Sequence, residues 1–220
     1  MNNLYVIGSS HANKIHRLFE RKTKFKEKFK IHNLTKPGAC FENLFLPDPK
    51  IFRADDIIFF QLFGNDIMEK NIRIQIHNFV KTIHLEKFVP KPENEIAAKF
   101  ESFKNYCAQI NCTIIVLDLI PRHIHCCDIH RHRGLMAFQK AVNKKYIEML
   151  KTLKNVSIIR FLYCTTNSYR WMKISANLKS IYTDSVHLKQ SYYSLIVEQV
   201  IKITLSTNTD ITPVNGRSVK

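Results

Sequence analysis

The stretch that decides the fold is Leu4-Tyr5-Val6-Ile7-Gly8-Ser9-Ser10-His11, close to the N-terminus. An apolar run suited to a buried β-strand stops at a glycine, two small hydroxyl residues follow, and a basic, helix-like segment begins. A strand-to-helix turn of this kind exposes a side chain at the carboxyl edge of a parallel sheet, where open α/β folds keep their sites. It also presents the free backbone N–H groups of the first helical turn to whatever binds there. Ser10 is therefore a candidate nucleophile, provided that the chain also supplies a base, an orienting carboxylate and an oxyanion hole.

Length and charge limit the classes of protein to which the chain can belong. At 220 residues and 45% hydrophobic, it can bury one substantial core. We expect a single domain over residues 1–205 and a disordered polar tail over residues 206–220. Lys and Arg number 34 against 18 Asp and Glu, a net charge of +16. This excess favours a polyanionic partner, either nucleic acid or an anionic membrane surface, over a basic face that contacts only solvent.

The cysteines and the N-terminus predict an intracellular protein. The 6 cysteines have no disulfide-framework spacing, and the N-terminus does not resemble a signal peptide. No apolar run reaches the roughly 18 residues of a membrane span. We therefore expect reduced cysteines and a location in the cytoplasm or the nucleus. A fold that begins at residue 4 also leaves open that the chain is a domain of a longer protein.

Alternating strand and helix patterns predict the architecture. Strands are expected at about residues 4–8, 29–34, 56–63, 112–119 and 156–163, and helices over 12–30, 67–88, 93–110, 134–154 and 188–205. Strands that alternate with helices form a parallel sheet with right-handed crossovers. The predicted fold is α/β, a flavodoxin-like three-layer α/β/α sandwich with a five-stranded parallel sheet.

Polar residues with complementary chemistry follow several of these strands. Ser10, Gly38 and Asn65 each follow a predicted strand, and the Asp184/His187 pair precedes the last helix. A serine needs a base, and the base needs a carboxylate, which Asp184 can supply because it lies three residues before His187. The Asn65 amide and the backbone N–H groups of Gly38 and Ser10 are three candidate donors to a tetrahedral oxyanion.

Four short motifs resemble, in order and spacing, the blocks of the SGNH (GDSL-type) hydrolase superfamily: Gly8-Ser9-Ser10, Gly38, Gly64-Asn65-Asp66 and Asp184-x-x-His187. The resemblance spans residues 4 to about 203. It implies an ester hydrolase that acts on small acyl esters and uses no metal or cofactor. It also implies that Ser10 is the nucleophile, His187 the general base and acid, and Asp184 its orienter. Ser10, Gly38 and Asn65 would form the oxyanion hole.

The chain departs from the family pattern at two positions. Ser9 stands where the first block usually has an aspartate that helps to structure the turn. Phe63 stands where related sequences often have glycine, and it would narrow the pocket as a substrate-lining residue. Further candidates to line the substrate site lie in the segment 165–183, which has no clean period; they are Tyr169, Trp171 and Met172. The alternative for these three is a hydrophobic plug under a long loop.

Other readings of the same residues remain open. Ser10 alone could be an N-capping serine, and His187 a surface histidine near a helix start. The loop 123–132 is rich in His and Cys, which are zinc ligands, but its spacing is irregular and no second C-x-x-C motif completes a site. The sequence favours an exposed polar loop there over a structural metal, or over phosphate contacts by Arg122, Arg131 and Arg133.

A second function follows from the charge. Within the superfamily, the chain is similar in style to the basic esterase domains of LINE-type retrotransposon proteins. It is also similar to the Oskar C-terminal domain, which binds RNA and lacks the triad. The complete triad here favours the hydrolase, and RNA binding with weak or no catalysis is the alternative. The candidate nucleic-acid contacts are Arg17, Arg21, Lys22, Lys24, Arg131 and Arg133.

Overall fold

A parallel β-sheet forms the centre of the molecule, and helices pack on both of its faces. The computed structural model describes residues 1–77, 80–121, 129–161, 181–183 and 187–206, and for residues 68–88 and 129–133 it describes the backbone alone. The strands are β1 (Asn2–Gly8), β2 (Phe29–Thr35), β3 (Ile57–Gln61), β4 (Met68–His77), β5 (Val80–Pro90), β6 (Thr113–Leu117) and β7 (Val156–Ile159). The α-helices are α1 (Ser10–Phe19), α2 (Thr23–Lys26), α3 (Glu93–Cys107), α4 (Ile129–Leu150) and α5 (Gln190–Ser206).

The main sheet has five parallel strands in the order β2-β1-β3-β6-β7. Its central strands are continuous apolar runs, and every residue of β3 is buried. Strands of this composition lie in the middle of a parallel sheet because both of their faces are covered. The sheet confirms the predicted α/β class. The ends of β1, β2, β3 and β6 lie within two residues of the predicted boundaries.

Each face of the sheet carries its own hydrophobic core. On one face, Ile15 of α1 and Ile196 of α5 pack with side chains such as Phe59 of β3. On the other face, Phe103 of α3 and Tyr146 of α4 pack with side chains that include Phe60. Because successive residues of a strand point to opposite faces, neighbouring phenylalanines serve both cores. This arrangement is the predicted three-layer sandwich.

The helix predicted over residues 67–88 is wrong. The backbone there forms an antiparallel hairpin of β4 and β5, in which Ile74 pairs with Ile83. The prediction rested on apolar residues four apart, Ile72 and Ile76. With Ile74 between them, residues 72–77 alternate strictly between apolar and polar. A period of two built from β-branched residues is typical of a strand.

Smaller corrections concern where the helices and β7 begin and end. The basic segment predicted as one helix over 12–30 is divided into α1 and the short α2. Helix α4 begins at Ile129, inside the predicted His-rich loop, and α5 begins two residues later than predicted. Strand β7 ends at Ile159, before the predicted 163. The predicted helical turn after Cys40 is a 3-10 turn, Phe41–Asn43. The tail from residue 207 lies outside the described residues.

None of the helices that the structure describes is both long enough and apolar enough to cross a membrane.

Gly8 ends β1 where the backbone of β3 comes very close. Its φ is 150°, and a Cβ placed there would lie 2.1 Å from the carbonyl oxygen of Gln61 and 2.9 Å from the Ala12 Cβ. Real side chains do not approach backbone oxygens so closely. The backbone N–H of Ser9 donates to the same Gln61 carbonyl at 3.4 Å, and Lys36 N–H donates to the Gly8 carbonyl at 2.9 Å. The glycine is therefore required by the packing of three adjacent strand ends.

We predict that Gly8→Ala lowers the free energy of unfolding by well over about 1 kcal/mol, because the strand end must move to admit the methyl group. Urea or thermal unfolding followed by circular dichroism measures the change. Gly134→Ala is the matched control. Gly134 lies within α4 with open space around it, so alanine there should be neutral or stabilising by up to about 1 kcal/mol. Equal stabilities of the two variants would contradict the prediction.

Candidate active site at the carboxyl edge of the sheet

Ser10 is the first residue of α1, and the preceding Ser9 occupies the N-cap position. The N-capping alternative for Ser10 is therefore wrong, since the capping position belongs to Ser9. The Ser9 side chain does not cap the helix either; its hydroxyl donates to Oε1 of Gln61 at 3.2 Å. Both side chains are buried, Ser9 at 4% exposure and Gln61 at 1%. Gln61 therefore supports this turn through the hydroxyl of Ser9.

The loops of Gly38 and Asn65 meet beside this turn. Gly38 has φ 78°, a left-handed conformation that suits glycine. The Asn65 amide Nδ2 donates to the Ala39 carbonyl at 3.0 Å, and Cys40 Sγ donates to the Asn65 carbonyl at 3.7 Å. The bond to Ala39 holds the Asn65 amide next to the Gly38 loop. Two of the predicted oxyanion donors thus lie on loops that contact each other.

A buried carboxylate holds these two loops together. Both oxygens of Asp66 accept the backbone N–H of Phe41 at 3.0 Å, and Lys99 Nζ donates to Asp66 Oδ1 at 3.0 Å. Lys99 also pairs with Glu42 at 3.3 Å. Burial by itself lowers the pKa of Lys99, but the bonds to Asp66 and Glu42 outweigh it, and the pKa is raised. Lys99 therefore remains charged and compensates the Asp66 carboxylate near neutral pH.

Phe63 belongs to the core, contrary to its prediction as a substrate-lining residue. It is 2% exposed, and its ring lies 4.9 Å from the Phe100 ring and 5.2 Å from each of the Phe41 and Tyr146 rings. Its backbone φ is 65°, the left-handed region that favours glycine. A bulky side chain in this region is strained, so glycine would be the residue expected from the backbone alone. Here the aromatic packing offsets the strain.

His187 lies close to the start of α1. Its carbonyl accepts the backbone N–H of Thr183 at 2.8 Å and the Thr183 hydroxyl at 3.0 Å, and an antiparallel bridge joins Tyr182 to Leu188. These bonds hold the turn that carries the histidine. The His187 ring is 5.7 Å from the His11 ring, and His11 directly follows Ser10. No hydrogen bond joins the side chains of Ser10 and His187, both of which the structure describes.

Two residues of this site escaped the sequence reasoning, namely His11 and Tyr193. The Tyr193 hydroxyl lies 2.8 Å from His11 Nδ1 and accepts the backbone N–H of Leu188 at 3.2 Å. Tyr193 is therefore connected to the residue after Ser10 and to the residue after His187. In the sequence, Tyr193 resembles any other apolar position of α5. The one indication of a role for this pair is that His11 directly follows Ser10.

Several predicted site residues lie outside the described part of the chain. These are Asp184 and the three candidate substrate-lining residues Tyr169, Trp171 and Met172; the side chains of Arg131 and Arg133, on the first turns of α4, also lie outside it. Most of the His/Cys loop does too, and within the described ranges no group of three His, Cys, Asp or Glu side chains could hold a metal ion. The remaining candidate nucleic-acid contacts, Arg17, Arg21, Lys22 and Lys24, are exposed on or beside α1 and α2.

We predict that Tyr193→Phe lowers the free energy of unfolding by about 1–3 kcal/mol, because a buried backbone N–H loses its acceptor. Tyr146→Phe is the matched control. The Tyr146 hydroxyl is buried with no hydrogen-bond partner among the described residues, so its removal should be neutral or stabilising. Thermal unfolding of both variants measures the contrast. A Tyr193→Phe variant as stable as Tyr146→Phe would show that the two bonds are energetically unimportant.

Solved structures share this fold. The chain matches a protein provisionally described as a platelet activating factor from Streptococcus pneumonia at 14% identity and a TM-score of 0.54, over 92% of this chain and 83% of that one. It matches protein YXIM_BACsu from Bacillus subtilis at 13% identity and a TM-score of 0.56, over 94% of this chain and 57% of that one. A provisionally assigned SGNH hydrolase from Slackia heliotrinireducens matches at 11% identity and a TM-score of 0.52, over 93% and 98% of the two chains.

No family model matches the chain, and no curated protein matches it. At identities of 11–14%, the similarity to solved structures concerns the fold. The order of the parallel sheet, the two helical layers and the matched structures agree: the chain has the three-layer α/β/α fold of the SGNH hydrolases.

Proposed function

We propose that the protein is a serine ester hydrolase. The observation that supports it is the contact between the His11 and His187 rings at 5.7 Å, which brings a candidate base to the start of the helix that begins with Ser10. The loops of Gly38 and Asn65 contact each other beside the same turn. A nucleophile, a base and oxyanion donors on one sheet edge are the groups that acyl transfer requires.

In the proposed reaction, Ser10 Oγ attacks the ester carbonyl carbon while His187 accepts the hydroxyl proton. The tetrahedral oxyanion is stabilised by the backbone N–H groups of Ser10 and Gly38 and by the Asn65 amide. The intermediate then collapses, the bond to the alcohol breaks, and His187 returns the proton to the leaving oxygen. Water then attacks the acyl carbon while His187 accepts its proton, the bond from that carbon to Ser10 Oγ breaks, and His187 returns the proton to Oγ. Asp184 orients the imidazole throughout.

The substrate class is a small acyl ester, with no metal or cofactor required by the proposed reaction. The fold is that of a protein provisionally assigned as an SGNH hydrolase, which supports hydrolase chemistry at the level of the fold. The similarity in style to the basic esterase domains of LINE-type retrotransposon proteins remains a prediction from the sequence.

We predict that Ser10→Ala abolishes hydrolysis of short p-nitrophenyl esters, since triad removal costs as much as ~10⁶ in rate in a well-studied serine hydrolase. A fluorophosphonate probe should label the wild-type protein on the Ser10 peptide, as located by mass spectrometry. Ser102→Ala, an exposed serine on α3, is the control and should keep full activity and labelling. An undiminished rate in Ser10→Ala would falsify the assignment.

We predict that Asn65→Ala lowers kcat on the order of 10²–10³ if the amide donates to the oxyanion. Asn105→Ala, an exposed asparagine on α3, should leave kcat unchanged. The bond from Asn65 to Ala39 also contributes to the loop, so the melting temperature of each variant is measured alongside its rate. A kcat close to the wild-type value in folded Asn65→Ala would remove Asn65 from the oxyanion hole.

RNA binding is the second candidate function. The observation that favours it is a group of exposed cations that form no ion pair with any described carboxylate, namely Arg17, Arg21, Lys22 and Lys24. Uncompensated cations on neighbouring helices can contact successive phosphates of a single strand. An anionic membrane surface could use the same cations and also stays a prediction. This function can coexist with hydrolysis, because the basic side chains are not those of the proposed triad.

We predict that binding to a single-stranded RNA oligonucleotide weakens with salt, with a slope of about −0.7 in log K against log salt for each phosphate contacted. Fluorescence anisotropy across a salt series measures the slope. A variant that removes the charges of Lys22 and Lys24 should reduce the slope by about 1.4 if both residues contact phosphates. Absent binding, or binding that is independent of salt, would reject the RNA hypothesis.

A further inference from the structure

A cavity of about 290 Å³ lies between α1, α5 and the turn that carries His187. We call it the α1/α5 pocket. Its cations are Lys14 and Arg17 of α1 and Arg21, which lies two residues after the end of that helix. Its apolar lining is Leu18, Leu188 and the ring of Tyr193. The pocket therefore combines concentrated positive charge with an apolar surface.

The positive charge of the pocket has no partner carboxylate in the described part of the chain. None of its three cations pairs with a carboxylate among the described residues. Glu20, the acidic residue within residues 14–21, pairs with Lys26 at 3.3 Å and with His16 at 3.8 Å. Like charges so close together repel one another, and a bound anion would relieve that repulsion.

Each part of the lining suits a phosphate group joined to an apolar body. A guanidinium group presents a planar fork of donors that matches phosphate oxygens, and the pocket holds two. Gln190, the first residue of the 17-residue helix α5, adds an amide at a helix end that favours negative charge. Lys14 Nζ lies 5.6 Å from the centroid of the Tyr193 ring, so the cation and the aromatic surface adjoin.

We propose that the α1/α5 pocket binds a small phosphorylated molecule, with its phosphate at Arg17 and Arg21 and its apolar part against Leu18, Leu188 and Tyr193. The volume of about 290 Å³ is close to the lower end of the roughly 300–1,000 Å³ that small-molecule sites occupy. Single-stranded RNA instead needs a groove that follows several phosphates, with aromatic surfaces for successive bases. Among its described lining residues, the pocket has one aromatic ring, that of Tyr193.

The pocket also adjoins the proposed catalytic turn. Tyr193 lines the pocket, while its hydroxyl bonds to His11 and to the Leu188 N–H, one residue after His187. A ligand against the Tyr193 ring would therefore stabilise the turn that carries His187. The binding proposal does not depend on hydrolysis, because it rests on side chains outside the proposed triad and oxyanion hole.

The test measures binding of phenyl phosphate, inorganic phosphate and phenol to the full chain by isothermal titration calorimetry at about 0.15 M ionic strength, where charges more than about 8 Å apart are largely screened. We expect phenyl phosphate to bind more tightly than inorganic phosphate, and phenol to bind least. The double variant R17Q/R21Q should lose at least about tenfold in affinity, since charge-assisted bonds contribute about 1.5–3 kcal/mol each. The matched control K22Q/K24Q removes the same charge beside the pocket and should change the affinity by less than about twofold.

Three results would overturn the proposal. The first is no binding of phenyl phosphate to the folded wild-type chain. The second is an equal loss in R17Q/R21Q and K22Q/K24Q, which would indicate general attraction to a basic face. The third is binding of a single-stranded RNA that both double variants weaken, with no binding of phenyl phosphate, which would assign these cations to RNA. The titrations are repeated with Ser10→Ala. Its affinity for phenyl phosphate should equal that of the wild type, whether or not the protein hydrolyses esters.

Discussion

The close approach of Gly8 to the Gln61 carbonyl is the constraint on which the rest of the site depends. A methyl group at Gly8 would lie 2.1 Å from that oxygen, so β1 and β3 can meet there only through glycine. Gln61 then bonds to both the backbone and the hydroxyl of Ser9, and Lys36 N–H bonds to the Gly8 carbonyl. The ends of β1, β2 and β3 are thereby joined at one point. The segments that carry Ser10, Gly38 and Asn65 all start from this junction.

The sheet was well predicted because its central strands are continuous apolar runs. In β1 and β3, every second residue serves one core and its neighbours serve the other, so the strands read as unbroken apolar runs. The described loops of Gly38 and Asn65 do contact each other beside the turn of Ser10, as the order of polar residues after those strands predicted. The hairpin of β4 and β5 was missed because isoleucines four apart fit a helix as well as a strand. Ile74, which lies between them, favours a strand, because it completes an alternation with a period of two. Comparing the pattern with both the helical and the strand period would have shown this.

The parts that the sequence did not predict are contacts between residues distant along the chain. His11 and Tyr193 are 182 residues apart, and no local pattern relates them. The role of Gln61 was equally hidden, since a buried glutamine at a strand end has no spacing rule that connects it to Ser9. The prediction that Phe63 lines the substrate site was wrong because a departure from a sequence pattern does not show where the side chain points. That direction depends on the backbone conformation. These three cases share one cause, which is that side-chain partners are fixed by the fold as a whole.

The position of Phe63 ties the Gly64-Asn65-Asp66 turn to the helical layer behind the sheet. Its strained backbone, at φ 65°, is held by rings from α3 and α4, and Asp66 is held by Lys99 of α3. The geometry of the Asn65 amide, the proposed oxyanion donor, is thus set partly by side chains of the core behind it. Sequence change in α3 or α4 could retune the Asn65 amide while β1 to β3 stay as they are. The geometry of the proposed site can therefore change through substitutions in the core.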